Sequence, residues 1–244
     1  MSAIITTDLT KKYGVRTVVD RLSMSIEQGE LFSLLGVNGA GKTTTIKMLC
    51  GLSKPTSGDA QLLGDSIVSN PYTVKSKINV SPQETAVAPN LTVAENLETI
   101  ARLYGRSKKE AAEKADEMIR RFGMSDIARD RAKTLSGGWQ RRLSIAMALI
   151  SDPQILFLDE PTLGLDVLAR RELWGVIRSL KGKVTIILTT HYLEEAEALS
   201  DRIAIMAKGR LKAVGTAQEL MAGTHTQKFE DAFVALAAES GVEL

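Results

Sequence analysis

Leu31-Phe32-Ser33-Leu34-Leu35-Gly36-Val37-Asn38-Gly39-Ala40-Gly41-Lys42-Thr43-Thr44 is the stretch that decides how the rest of the chain is read. Leu31 to Leu35 is a short apolar run, as suits a strand buried on both faces of a parallel sheet. From Gly36 the sequence matches the phosphate-binding pattern G-x-x-x-x-G-K-[ST] in full. Glycines let backbone amides turn inward and form a concave anion site. Ile46, Leu49 and Cys50 then fall on one helical face, with Gly51 as the C-terminal stop. The predicted order is strand, glycine turn, helix, with the positive helix end aimed at the phosphates. Lys42 is placed to neutralise β and γ oxygens, and the Thr43 hydroxyl to hold Mg²⁺. The plain alternative is a glycine-rich turn with an unrelated lysine.

Outward from that loop, Leu22, Met24 and Ile26 alternate with Ser23 and Ser25, the period of a half-buried strand. Ile155–Leu158 and Val184–Leu188 are continuous apolar runs and predict buried strands. Ile203–Met206 and Leu211–Val214 flank Lys208-Gly209 and predict a hairpin. Between these strands the character changes. Thr92 with Glu95 and Ser107 with Glu110 are capping boxes. Three helical stripes follow: Val93, Leu97, Ile100 and Ala101; Ala111, Ala115, Met118, Ile119 and Phe122; and Leu143, Ala146, Met147 and Ile150. Phe229, Ala232, Phe233 and Leu236 recur at helical spacing, so the tail is expected to fold back and pack. The pattern predicts an α/β fold with a mainly parallel sheet and an inserted helical lobe.

Two carboxylates, Asp159 and Glu160, end the strand Ile155–Leu158. Beside a phosphate loop, Asp159 is expected to bind Mg²⁺ and Glu160 to polarise an attacking water. Alone they would read as solvated acids at a strand end. Leu135-Ser136-Gly137-Gly138 opens a further amphipathic helix. It is either a second anion site or a plain serine cap. His191 lies at the end of a strand, where α/β folds bind ligands. Gln83 and Tyr13 are weak signals by themselves. Thr85-Ala86-Val87-Ala88-Pro89, next to Gln83, forms a small, weakly polar segment that could seat a partner's helix or simply link two parts of the chain.

With 31 Lys+Arg against 29 Asp+Glu in 244 residues, the net charge is +2. That gives no electrostatic argument for nucleic acid. One cysteine, Cys50, allows no intrachain disulfide. No stretch approaches the ~20 apolar residues of a membrane span, and Met1–Thr10 has no basic start with an apolar run, so no signal peptide is expected.

The motifs together are similar to the ATP-binding cassette (ABC) ATPase family, in that family's order, from Ile5 to about Gly215. They comprise Tyr13 in Lys-Lys-Tyr-Gly, the phosphate loop, Pro55-Thr56-Ser57-Gly58, Gln83, Leu91-Thr92-Val93-Ala94-Glu95-Asn96-Leu97, and the Leu135-Ser136-Gly137-Gly138 signature. Asp159-Glu160-Pro161-Thr162, Gly164-Leu165-Asp166 and Thr189-Thr190-His191 complete the set. Trp139 stands where the family usually has glutamine, with Gln140 next.

The resemblance implies a P-loop NTPase (RecA-like) core with a mainly parallel sheet, an antiparallel β subdomain and an inserted helical subdomain. It implies an ATPase domain over 1–220, with the helical part at 83–150, and a helical tail over 221–244. ATP would lie on Gly36, Val37, Asn38, Gly39, Ala40, Gly41, Lys42, Thr43 and Thr44, with Tyr13 on the adenine and Mg²⁺ at Thr43, Gln83 and Asp159. Glu160, His191, Lys42 and Gln83 would serve hydrolysis. Ser136, Gly137, Gly138 and Asp166 would act across a head-to-tail dimer, a homodimer preferred to a heterodimer. The exporter-type group is suggested by Asn38, Thr43-Thr44-Thr45, His191-Tyr192-Leu193-Glu194-Glu195-Ala196-Glu197 and Phe229-Glu230-Asp231-Ala232-Phe233. In that group a separate transmembrane permease holds the ATPase at the cytoplasmic face of the membrane, and no nucleic acid partner is expected. The alternatives are a non-transport cassette machine and a nucleotide-gated module without turnover. Glu160 and His191 argue against the second.

Overall fold

The computed structural model describes residues 1–238; the last six residues of the expected tail lie outside them. The chain begins with a long pair, β1 (Ser2–Tyr13) and β2 (Arg16–Glu27), followed by β3 (Leu31–Leu35), the glycine loop and α1 (Lys42–Leu49). Then come β4 (Ser57–Leu62), β5 (Asp65–Ser66), α2 (Pro71–Lys77) and β6 (Ile78–Ser81). The middle is helical: α3 (Val93–Leu103), α4 (Lys108–Arg121) and α5 (Gly137–Leu149). β7 (Ile155–Asp159), α6 (Val167–Leu180), β8 (Thr185–Thr190) and α7 (Leu193–Leu199) return to the sheet. β9 (Arg202–Ala207), β10 (Arg210–Gly215), α8 (Ala217–Gly223) and α9 (Phe229–Ala238) end it.

These strands form two sheets, the mainly parallel one that the sequence pattern predicts and the antiparallel one that the family resemblance implies. One is antiparallel, ordered β2-β1-β4-β5. The other is ordered β10-β9-β3-β8-β7-β6 and is parallel except at β10. The apolar run Leu31–Leu35 is buried at every residue because it is the central strand, paired on both sides. In β2, Leu22 and Ile26 are fully buried while their neighbours face out, giving the predicted period of two. At the Lys208-Gly209 turn φ is +49° and +78°, the paired positive values that a two-residue hairpin with matched twist requires.

The helical lobe follows from its caps and stripes. Thr92 Oγ1 accepts from Glu95 N (3.1 Å), and Thr92 N donates to Glu95 Oε2 (2.8 Å). Ser107 and Glu110 repeat the arrangement. The stripe residues Val93, Leu97, Met118 and Phe122 are buried in one cluster with Leu143, Ala146 and Ile150 of the α5 segment. Each such large side chain contributes about 1.5–3 kcal/mol. Asn96, which is 1% exposed, ties the preceding loop to α3. Its Nδ2 donates to the carbonyls of Ala88, Leu91 and Thr92, and its Oδ1 accepts from Ala88 N. Val87 turns inward against this cluster while Ala86, Ala88 and Pro89 face out. Val87 is therefore part of the lobe's packing and is not the exposed floor of a seat, because Asn96 fixes the loop's orientation.

The tail packs as expected: Phe229 and Phe233 of α9 lie with Leu220, Leu35, Ile203 and Ile205. The expected boundary at 220 falls within α8. Among the described residues no helix is long and apolar enough to cross a membrane.

Candidate functional site

β3, β7 and β8 lie side by side with their C-terminal ends level, Leu35 opposite Thr190 and Asp159 opposite Thr189. Ligands of parallel α/β sheets bind outside such ends. A cleft of about 400 Å³ opens there, lined by Asn38 to Thr44, Gln83, Glu160 and His191, and also by Arg16, Val18 and Leu163.

The loop's glycines have different duties. Gly36 is required by packing, since a Cβ there would collide with Met206 O. Gly41 has φ +102°, and a Cβ would meet Val18 O at 2.8 Å. Its unusual backbone starts α1, whose first amides no side chain caps. A helix start with orphan donors and a lysine beside it is suited to phosphate oxygens.

Lys42 is 5% exposed. Its Nζ donates to Gly36 O (2.7 Å) and Val37 O (3.4 Å) and lies 3.4 Å from Glu160 Oε1. Glu160 Oε2 is 2.5 Å from His191 Nδ1. One carboxylate therefore bridges the loop lysine and the histidine. Glu160 is held in the left-handed region, φ +49°, with its N–H donating to Thr189 O and Thr189 Oγ1. A non-glycine residue at positive φ is a strained conformation that the surrounding bonds must maintain.

Thr43 Oγ1 donates to Asp159 Oδ1 at 3.2 Å, and Thr189 Oγ1 donates to the same oxygen. Two hard oxygen donors side by side at a phosphate loop fit Mg²⁺, which takes one or two protein ligands and completes its shell with phosphate and water. Among the described residues no three His, Cys, Asp or Glu side chains form a dedicated metal cage. ATP and Mg²⁺ thus both fit the residues present.

The remaining sequence candidates lie elsewhere. Tyr13 does not line the cleft; it is half exposed, with Lys11 Nζ 5.0 Å from its ring centre. Ser136 and Gly137 are exposed at the start of α5, where Ser136 Oγ accepts from Trp139 N (3.4 Å). Asp166 is the exposed N-cap of α6, accepting from Leu168 N and Ala169 N at 2.9 Å. A Cβ on Gly138 would meet Ala169 Cβ at 3.1 Å, so the glycine turn rests against α6.

Arg141 was not singled out by sequence reasoning. It is 4% exposed, and burial lowers its pKa to about 10. It donates from Nε to Pro161 O, from one terminal nitrogen to Pro82 O and Gln83 O, and from the other to Asp159 O. A signal was present: Arg141 shares the helical phase of Ser144, Ile145 and Ala148, all buried. Arg16 and Val18 carry no such signal, since only the meeting of the two sheets brings β2 to the cleft.

Trp139 packs partly buried against the lobe, with the Arg142 guanidinium 4.2 Å from its ring centre. Arg142 in turn bonds Glu172 Oε2 (2.9 Å) of α6. Trp139→Gln is therefore expected to lower stability by about 1–2 kcal/mol. ATP affinity should stay unchanged and turnover within about twofold. Thermal unfolding with and without ATP, read beside steady-state turnover, checks this.

Residues 19–163 match the family model described as ABC transporter. The daunorubicin/doxorubicin resistance ATP-binding protein DrrA of Streptomyces peucetius is 46% identical over 220 residues, 89% of this chain and 66% of that protein. The chain thus spans just under two thirds of that relative's length. The Nod factor export ATP-binding protein I of Ralstonia nicotianae is 42% identical over 215 residues, 87% of this chain and 67% of that protein. The solved dimer of MJ0796, a bacterial ABC transporter cassette, has a TM-score of 0.78 at 25% identity, over 87% of this chain and 98% of that one.

Proposed function

The chain belongs to the ABC transporter family, and from that membership we propose that it binds and hydrolyses ATP as the motor subunit of an exporter. The observation that carries this reading is the Glu160 carboxylate between Lys42 Nζ and His191 Nδ1, next to the Thr43–Asp159 pair. Lys42 and the α1 amides bind the phosphates. Thr43 and Asp159 would hold Mg²⁺, which would supply positive charge to offset that of the phosphates. Gln83, on the cleft's rim, stands beside them. Glu160 accepts the proton of the attacking water, and His191 orients Glu160 and faces the γ-phosphate. Tyr13 supplies an adenine platform from the end of β1, where it pairs with Arg16 of the cleft lining.

Ser136, Gly137, Gly138 and Asp166 are on the surface, outside the cleft of their own chain. That placement supports a head-to-tail pair of identical chains, each completing the other's site. Residues 1–220, with the lobe at 83–150, act as the ATPase unit, and the tail braces it. A separate permease supplies the membrane helices and holds the subunit at the cytoplasmic face. The exposed Ala86, Ala88 and Pro89 beside Gln83 form part of the surface it meets.

Mg²⁺-dependent release of phosphate from ATP by the purified chain tests the chemistry. Co-purification from detergent-solubilised membranes tests the partnership, and a protein with several spans is the expected companion. Turnover indifferent to Mg²⁺, or recovery of the chain without any membrane protein, would overturn the corresponding half.

A further inference from the structure

Behind the Glu160–His191 pair lies a second, deeper carboxyl with no part in the chemistry above. Glu195 sits on α7, one turn after His191, and is fully buried. Its Oε1 accepts from Trp174 Nε1 of α6 at 3.0 Å. Among the described residues its Oε2 has no hydrogen-bond partner. Thr162 is also fully buried, two residues after Glu160, and its hydroxyl is likewise unpartnered. Burial pushes the Glu195 pKa up, and hydrogen bonding from the Thr190 and Thr162 hydroxyls and the Trp174 indole pulls it back; the two groups are thus neighbours, although the Thr162 hydroxyl does not meet Oε2 in good bond geometry. The charged groups that feel this carboxyl are Glu160, which adds to the upward push, and Arg141 of α5.

A buried polar atom without a partner keeps its full desolvation cost. Two such atoms on adjoining segments represent a hydrogen bond that a small movement would make. The segments are those that matter to the cleft. The turn bearing Thr162 begins at Glu160 and contributes Leu163 to the lining. α6 begins at the Asp166 cap, and α7 follows His191 directly.

We propose that Glu195 is a positioning residue for ATP hydrolysis, pairing through Oε2 with the Thr162 hydroxyl in the hydrolysing conformation and so fixing the turn after Glu160 to the helix after His191. Glu195 touches no reacting atom and acts only through Glu160 and His191, so the inference rests on the roles assigned to them above. A carboxyl can meet a hydroxyl in either protonation state, and a glutamine amide can do the same.

Steady-state ATP turnover of the full chain with Mg²⁺ tests this. Glu195→Leu keeps the volume and removes both oxygens. Its kcat is expected to fall on the order of tenfold, with KM for ATP within about twofold. Thr162→Val removes the other half of the bond without touching α7, and keeps the test decisive if the leucine variant folds poorly. It should lose a similar factor, and the double variant should fall no further than the worse single one. Glu195→Gln and Thr162→Ser restore polar partners and should recover most of the lost rate, which a purely structural role does not predict. Losses that multiply in the double variant, KM rising as kcat falls, or kcat within about twofold of the unaltered chain in both Glu195→Leu and Thr162→Val would overturn the inference alone. Absence of Mg²⁺-dependent turnover in the unaltered chain would overturn the ATPase reading and this inference with it.

Discussion

Glu160→Gln is expected to stop turnover while leaving ATP bound. The substitution keeps the side chain's shape and its hydrogen-bonding reach to His191, but it removes the proton acceptor. Loss of a positioned general base costs about 10²–10⁴ in rate. The geometry adds a second expectation about affinity. Glu160 Oε1 lies 3.4 Å from Lys42 Nζ, with both groups almost completely buried. A triphosphate brought to the loop must share that ammonium with the carboxylate. The neutral amide withdraws the competitor, so ATP affinity should be equal or tighter. ATP that is bound but not consumed then accumulates the two-chain form by mass action. Size measurement with Mg²⁺ and ATP, beside a phosphate-release assay, reads both effects. Undiminished turnover would remove Glu160 from the role of base, and an inactive variant that stays monomeric with saturating ATP would count against the sandwich in the isolated subunit.

Lys42→Ala is expected to lose both binding and hydrolysis. The ammonium is pinned by Gly36 O and Val37 O, so it is held in place before any phosphate arrives. Truncation removes charge-assisted bonds to the phosphates and leaves Glu160 buried without its counter-ion. Deleting one member of a buried charged pair typically costs about 2–5 kcal/mol. ATP affinity should therefore fall by about a hundredfold or more, with turnover at background. A fluorescent-nucleotide titration measures the first and phosphate release the second. Near-normal turnover would sink the assignment of the loop.

The parts of the fold legible from sequence are those set by neighbouring residues. Leu31 to Thr44 carries strand, turn and helix in one stretch. The boxes at Thr92 and Ser107 mark helix starts because a cap and its reciprocal partner are three residues apart. Lys208-Gly209 marks a hairpin between two apolar runs. What remained hidden depends on distant segments. β1 pairs with both β2 and β4 through several register shifts, which blur its alternation, and Tyr13 reaches the cleft's neighbourhood only because it pairs with Arg16, a lining residue. Glu195 stands among Glu194 and Glu197 and resembles any acidic helix surface, yet it alone of the three is buried. Arg141 looks like a solvated charge next to Gln140 and Arg142; its phase with Ser144, Ile145 and Ala148 marks it as inward-facing, but the carbonyls it meets, up to 59 residues away, are not legible locally.

A free rigid body has six degrees of freedom. Arg141 takes some of them from the helical lobe. Its guanidinium grips carbonyls on three stretches of the core side, at 82–83, 159 and 161, so the start of α5 has little freedom to translate there. Since α5 itself packs on β7 and β8, movement of the lobe's outer helices is then largely rotation about that point. Gly138 lies only three residues from it, about 4.5 Å along the helix axis. The glycine turn therefore sits close to the fulcrum, and a swing that carries the lobe's outer surface far moves that turn only slightly. Two of the gripped carbonyls belong to Asp159 and Pro161, the residues on either side of Glu160. Torque applied at the lobe's rim is thus delivered to the peptide unit that enters Glu160 and to the Pro161–Thr162 unit just beyond it.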